Sequence, residues 1–328
     1  MALAPRRLAT ALLLPLAALA GCAATPPIVE GRAPVGGGDT LYYRMVGAGP
    51  DTIVFLHGGP AVSSRYLEAS FRTLARRHVL LFYDARGRGR SSAAAQPDSL
   101  SLWQDADDLE ALRARLGLGP LKLVGHNWGA GLAFEYARRH PAMVRRLVLL
   151  SPMLLRMEYS YFLLRSIPAD SAADAGYQAA LAAGRDSTDP AGFCRDFWGW
   201  GFGPWRPVER RVVRILGPEI CDAPPDELRA RARVRRALLG NLGAWNWETA
   251  LDSVPVPRLV IVGSGEAAFV RAAERWAGGR DGQLLQAGTS PHFPWVESPD
   301  LVASSIEEFL IHERWPGGAT PVTAVSAR

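Results

Sequence analysis

Leu121-Lys122-Leu123-Val124-Gly125-His126-Asn127-Trp128-Gly129 is the stretch whose reading decides the fold. A short apolar run ends at Gly125, and after three residues Gly129 opens a helical stretch that continues to His140. Strand, sharp turn and helix follow one another with no linker, and the two glycines remove side chains that would collide across the turn. Similar apolar runs stand at Thr52 to Leu56, Val79 to Tyr83, Leu147 to Leu150 and Leu259 to Val262, separated by helical stretches. Their hydrophobicity is continuous rather than alternating, as in strands buried on both faces of a parallel sheet covered by helices. Right-handed crossovers then bring the C-terminal ends of all these strands to one edge, where functional loops are expected. The fold class is α/β, with a mostly parallel central sheet.

The alternation stops between Met153 and Asp252, where the chain is helix-like and rich in arginine and aromatic residues. It resumes at Pro257-Arg258-Leu259-Val260, so 153–252 reads as a helical cap inserted into a core formed by 39–152 and 253–316. Within the cap, Asp226 to Leu239 has the pattern of a basic amphipathic helix, with acids in its first turn and arginines beyond. A solvated face is the simplest role for those arginines, and contact with anionic lipid headgroups the sharper one. Residues 317–328 read as a disordered tail.

At the other end, Arg6 and Arg7 precede an apolar run from Leu8 to Ala20, too short for a membrane-spanning helix. The run closes on Leu19-Ala20-Gly21-Cys22, which resembles the bacterial lipobox. That resemblance implies cleavage after residue 21 and lipidation of Cys22, with Ala23 after it favouring the outer membrane, on its periplasmic side or at the cell surface. Residues 22–38, with prolines and Gly36-Gly37-Gly38, read as a flexible tether. Loss of Arg6 and Arg7 with this leader lowers the net charge from +5 to about +3. The positive charge is mostly scattered arginine, which argues against nucleic acid as a partner. With Cys22 lipidated, Cys194 and Cys221 remain as one disulfide or two separate thiols.

Three groups of strand-end residues carry chemistry. His57-Gly58-Gly59-Pro60 follows the first run, Gly125-His126-Asn127-Trp128-Gly129 follows the third, and Gly263-Ser264-Gly265-Glu266 and Pro291-His292-Phe293-Pro294-Trp295 lie beyond the cap. Together with Tyr83-Asp84-Ala85-Arg86-Gly87-Arg88-Gly89-Arg90-Ser91, in this order, the chain resembles the α/β-hydrolase superfamily, and within it the proline-iminopeptidase-like branch. The resemblance covers Asp39 to Pro316 and is weakest in the cap. It implies an α/β-hydrolase fold with an inserted helical cap. It makes Asn127 the occupant of the nucleophile position, the backbone N–H groups of Gly59 and Trp128 the oxyanion hole, His292 the general base and Glu266 its orienting acid. Two features depart from the family pattern: glutamate replaces aspartate at 266 in a shortened loop, and an extra residue stands in Thr289-Ser290-Pro291.

Serine, or aspartate in the dehalogenase and epoxide-hydrolase branches, is what the family places at 127. A neutral amide neither yields a proton to histidine nor carries charge, so Asn127 is no nucleophile. Three readings stay open. The first is a pseudoenzyme, an envelope lipoprotein that only binds a ligand, since asparagine tolerates φ > 0 and keeps the turn folded. In the second, His292 activates water directly. In the third, His292 drives conversion of Asn127 to aspartate, which restores dehalogenase-like chemistry. The ancestral reaction is ester or amide hydrolysis in all three.

The cap contains Phe197-Trp198-Gly199-Trp200-Gly201-Phe202-Gly203-Pro204-Trp205 and Trp245-Asn246-Trp247-Glu248. Packing accounts for most of these rings, and Trp198, Trp200 and Trp245 are the candidates to line a pocket for an apolar or aromatic small molecule. Aminopeptidases of the family grip a free amine with cap glutamates; Glu158, Glu209, Glu219 and Glu248 are available, but their spacing does not match that motif. No His, Cys, Asp or Glu grouping has metal-ligand spacing and no phosphate fingerprint opens a helix, so neither metal nor cofactor is expected.

Overall fold

The computed structural model describes residues 26–157, 171–198 and 210–322. The runs that read as strands from their composition form β3 (Thr52–Leu56), β4 (Val79–Tyr83), β5 (Leu121–His126), β6 (Val144–Leu150) and β7 (Arg258–Val262). With β1 (Ile28–Pro34), β2 (Thr40–Val46), β8 (Gly282–Gln286) and β9 (Thr320–Pro321) they build one nine-stranded sheet in the order β1-β2-β4-β3-β5-β6-β7-β8-β9. Pairing is parallel from β4 to β8, with Val54 opposite Leu123 and Val148 opposite Leu259, and antiparallel where β1, β2 and β9 join.

Continuous hydrophobicity follows from burial on both faces. Val54, Leu56, Leu123, Leu147 and Val260 face one core cluster, while Ile53, Phe55, Val124, Val148 and Ile261 face the other. Alternate residues of each strand therefore serve opposite layers. The first layer is closed by α2 (Leu102–Arg115), α3 (Trp128–Arg139) and α8 (Ala267–Ala277); the second by α1 (Arg65–Phe71) and α9 (Pro299–Leu310).

Between β6 and β7 the described chain is helical, with α4 (Ser171–Ala182), α5 (Pro190–Phe197), α6 (Arg210–Cys221) and α7 (Pro225–Leu242). Cys194 of α5 and Cys221 of α6 form a disulfide, which decides between the two states the sequence left open.

Two segments differ from their reading as tether and tail. Residues 28–34 are an edge strand, paired from Ile28 opposite Val46 to Pro34 opposite Thr40. The strand is mostly exposed and draws its stability from the ladder and from the Arg44–Glu30 pair, so its hydrophobic pattern is weak. At the other end Thr320 and Pro321 pair with Leu284 and Gln283, and 323–328 lie outside the described residues.

Candidate functional site

The elbow is built from close approach. A Cβ on Gly125 would strike the Gly129 carbonyl, and one on Gly129 would strike the Leu56 carbonyl, so the turn after β5 nests against the end of β3. Asn127 is left at φ 49 and ψ −106, a conformation disfavoured for any side chain and least so for asparagine. Its own N–H donates to Leu150 O at 3.0 Å, and its carbonyl accepts from Ala130, Gly131 and Met153. The strained residue is thus held by its backbone alone, whatever side chain it bears.

Three loops converge through one chain of hydrogen bonds. The Gly58 N–H donates to Tyr66 Oη at 2.8 Å, Tyr66 Oη lies 2.6 Å from His126 Nδ1, and His126 Nε2 lies 3.0 Å from the His292 carbonyl. A carbonyl can only accept, so Nε2 carries the proton, Nδ1 accepts from Tyr66, and Tyr66 accepts from Gly58. Burial lowers the proton affinity of His126 far below the ordinary imidazole value, and the nearby His292 lowers it further. The relay is neutral and runs one way, from the loop after β3 through the elbow to the loop after β8.

A second link is charged. Arg88 and Asp105 form a bidentate pair at 2.7 Å, with side chains 0% and 1% exposed. Arg88 Nε also donates to Pro60 O at 3.0 Å, and the Trp128 indole N–H donates to Asp105 at 3.3 Å. This turns the Trp128 ring into the core and leaves its backbone N–H at the start of α3. Among the described residues, neither that N–H nor the one of Gly59 (φ +112) has an acceptor. The Trp128 N–H opens α3, whose N-terminus favours negative charge, and Gly59 lies in the loop after β3.

His292 is 8% exposed and its proton affinity is pushed down to about 3 by burial. Its loop is fastened by Glu297, which accepts from Ser290 N at 2.8 Å and from Thr289 N and Oγ1, while Ser290 Oγ accepts from Phe293 N at 3.2 Å. Glu266 does not join this assembly. It caps α8 half-buried through its backbone carbonyl, which accepts from Phe269 N and Val270 N, while its carboxylate makes no hydrogen bond or ion pair with a described residue. The reason lies in the short glycine loop, where Ser264 N donates to Gly288 O and Gly265 N to Thr289 O, both at 2.9 Å. That zipper fixes the segment leading to His292 and uses Glu297, rather than Glu266, as its anchoring carboxylate.

A family profile described as the alpha/beta hydrolase fold matches residues 51–216. The chain belongs to the α/β-hydrolase family. Among curated relatives of this chain, a proline iminopeptidase of Xylella fastidiosa is 35% identical over 117 residues, 35% of this chain and 37% of that protein. One from Arabidopsis thaliana is 35% identical over 137 residues, 40% of this chain and 34% of its own length. The matched segments thus span little more than a third of those relatives, and they support the proline-iminopeptidase-like branch. The crystal structure of a proline iminopeptidase from Mycobacterium smegmatis superposes with a TM-score of 0.64 at 21% identity, covering 87% of this chain and 98% of that one.

A cavity of about 710 Å³ reaches from Gly59, Ala61 and Val62 to the helices between β6 and β7. Trp198 lines it, buried and 5.7 Å from the Phe293 ring, edge to face. Trp245 does not line it: its indole donates to Leu154 O at 2.8 Å and its ring packs on the core, so it is a packing residue. Trp200 and Cys22 lie outside the described residues. Glu248 is held by Arg156 at 3.3 Å and Arg275 at 2.9 Å and does not line this cavity. Tyr66 and Asp105 carry no sequence signal as site residues, since their partners His126 and Arg88 stand 60 and 17 residues away, whereas Glu297 reaches back only to Ser290 and Thr289. The arginines of α7 were read as a solvated face, yet Arg229, Arg231, Arg235 and Arg236 line the cavity.

His57 is the third buried imidazole of the site. Ala85 N–H donates to its Nε2 at 3.1 Å, which leaves Nδ1–H for Gly58 O at 3.2 Å, and burial lowers its proton affinity. His57, His126 and His292 are therefore neutral when folded and take up protons at about 6.5 when unfolded. Stability is complete above that value. It is expected to fall as pH drops from about 6.5 towards 3, by up to about 1.4 kcal/mol per pH unit for each histidine. Urea unfolding midpoints measured at pH 7.5, 6, 5 and 4 check this, and midpoints unchanged down to pH 4 would contradict it.

Proposed function

We propose that this chain is a lipid-anchored α/β-hydrolase-family protein that captures an ester or amide carbonyl without forming an acyl-enzyme. The observation that carries the reading is Asn127 at the strained apex of the elbow, with a carboxamide where the reaction needs a serine or aspartate oxygen. The oxyanion N–H groups of Gly59 and Trp128 remain to hold a carbonyl oxygen, while the covalent route is closed. Two further features support binding over turnover. Burial weakens His292 as a base by pushing its proton affinity down to about 3, and the Glu266 carboxylate is not bonded to it to stabilise an imidazolium, so any turnover restored at 127 is modest. Prolyl-peptide cleavage, the activity named for the relatives, is not carried over.

One observation favours a second reading. The relay that positions the His292 backbone is intact, which supports direct attack by a water that His292 orients. Conversion of Asn127 to aspartate is the remaining route, and the intact mass of the purified protein distinguishes it.

Lipidation at Cys22 rests on Leu19-Ala20-Gly21-Cys22, and the Cys194–Cys221 disulfide is in keeping with an oxidising compartment outside the cytoplasm. We place the protein at the bacterial cell envelope, by preference the outer membrane.

Hydrolysis of small aryl esters and anilides by the wild type, Asn127→Ser, Asn127→Ala and Asn127→Ser/His292→Ala tests the catalytic claim. The wild type is expected to be silent, and Asn127→Ser to gain at least about tenfold over background, lost again without His292. Wild-type turnover that His292→Ala abolishes would refute the binding reading. For the anchor, Cys22→Ala should move the protein from the membrane to the soluble fraction; continued membrane association would count against lipidation.

A further inference from the structure

The cavity between the oxyanion loop and α7 has an unusual distribution of charge. One wall is aromatic: Tyr177, Phe193 and Phe197 form a cluster with ring centroids 5.1 to 5.7 Å apart. The opposite wall is α7, which presents Arg229, Arg231, Arg235 and Arg236, while Asp186 is the acid of the described lining.

These arginines are not equivalent. Arg229 is held by Asp226 at 2.6 Å and by the Ser187 carbonyl. Arg231 shares Glu227 with Arg65, at 3.0 and 3.2 Å, and points a further N–H at Cys194 Sγ, 3.7 Å away. The Arg235 side chain makes no hydrogen bond or ion pair with any described residue, although its Nε is buried. Burial also works against its charge, only partly offset by Tyr177. Arg236 is exposed at the same rim.

Arg235 is half-buried: its Nε is shielded, while its two terminal nitrogens stay accessible with no counter-ion among the described residues, and their fork geometry matches a carboxylate. We propose that the cavity takes an apolar or aromatic carboxylate, its acid group paired with Arg235 and its body lying along Tyr177, Phe193 and Phe197 towards Gly59. This deepens the proposed function and rests on it for the location of the carbonyl site, while the charge preference stands on Arg235 alone. It also separates the cavity from an amine-gripping one, which needs carboxylates in place of these arginines.

Calorimetric titration of the full chain in detergent with 6-phenylhexanoate, 6-phenylhexanamide and 6-phenylhexylamine reads the preference directly. The carboxylate is expected to bind at least about tenfold more tightly than the amine, as a charge-assisted hydrogen bond gives. Arg235→Gln should remove most of that difference, Arg235→Lys should restore part of it, and affinity for the neutral amide should stay the same in all three proteins. The retained amide affinity reports that the cavity is folded. Failure of the wild type to bind the carboxylate, equal binding of the amine, or a carboxylate preference that survives Arg235→Gln would each overturn the proposal. If carboxylate selectivity holds while Asn127→Ser gains no hydrolysis, the carbonyl-site reading fails and the cavity assignment remains.

Discussion

Gly58, Tyr66, His126 and His292 share three hydrogen bonds that no single element of the fold could supply. The direction of the chain is fixed at its two ends, a backbone donor at Gly58 and a backbone acceptor at His292. Everything between them must therefore adopt one tautomer and one hydroxyl orientation. Each bond contributes only about 1 kcal/mol net, but an unmade one in this dry interior costs about 1–3 kcal/mol. The loops after β3, β5 and β8 consequently move together or not at all. The rings of Phe293 and Trp295 pack on His126 at 5.3 and 4.9 Å and keep water from competing for it.

The Arg88–Asp105 pair does for the outer rim what the relay does for the centre. Both groups are buried, so removing either leaves an uncompensated charge, at a cost of about 3–5 kcal/mol. The pair joins Pro60, next to Gly59, to Trp128 itself, the two positions proposed to supply the oxyanion N–H groups. Neither link involves the side chain at 127. This independence explains how asparagine can stand at the apex while the surrounding geometry persists: the elbow is a backbone structure, and the side chain at 127 is a passenger on it.

Much of the core was legible because burial on both faces writes itself into composition. Val, Ile and Leu runs such as Thr52 to Leu56 and Val79 to Tyr83 mark their strands to the residue. The elbow was legible for a different reason, because only glycine survives at 125 and 129. The edge strand Ile28–Pro34 was not, since an exposed strand is held by its ladder and needs no apolar pattern. Partnerships set by tertiary proximity left no trace either. Glu266 lay at the expected sequence position, yet the zipper to Gly288 and Thr289 gave the anchoring role to Glu297. The arginines of Pro225–Leu242 carried the period of a surface helix, and only the aromatic wall opposite turns some of them into a lining.

The claim on which the rest depends is that His126 is a neutral, one-way link between the elbow and His292. Nitrogen-15 NMR of the imidazole rings tests it most directly. The account predicts a His126 signal of the Nε2–H tautomer that does not change between about pH 5 and 8. An Nδ1–H tautomer, or a titration near the ordinary imidazole value of about 6.5, would contradict it.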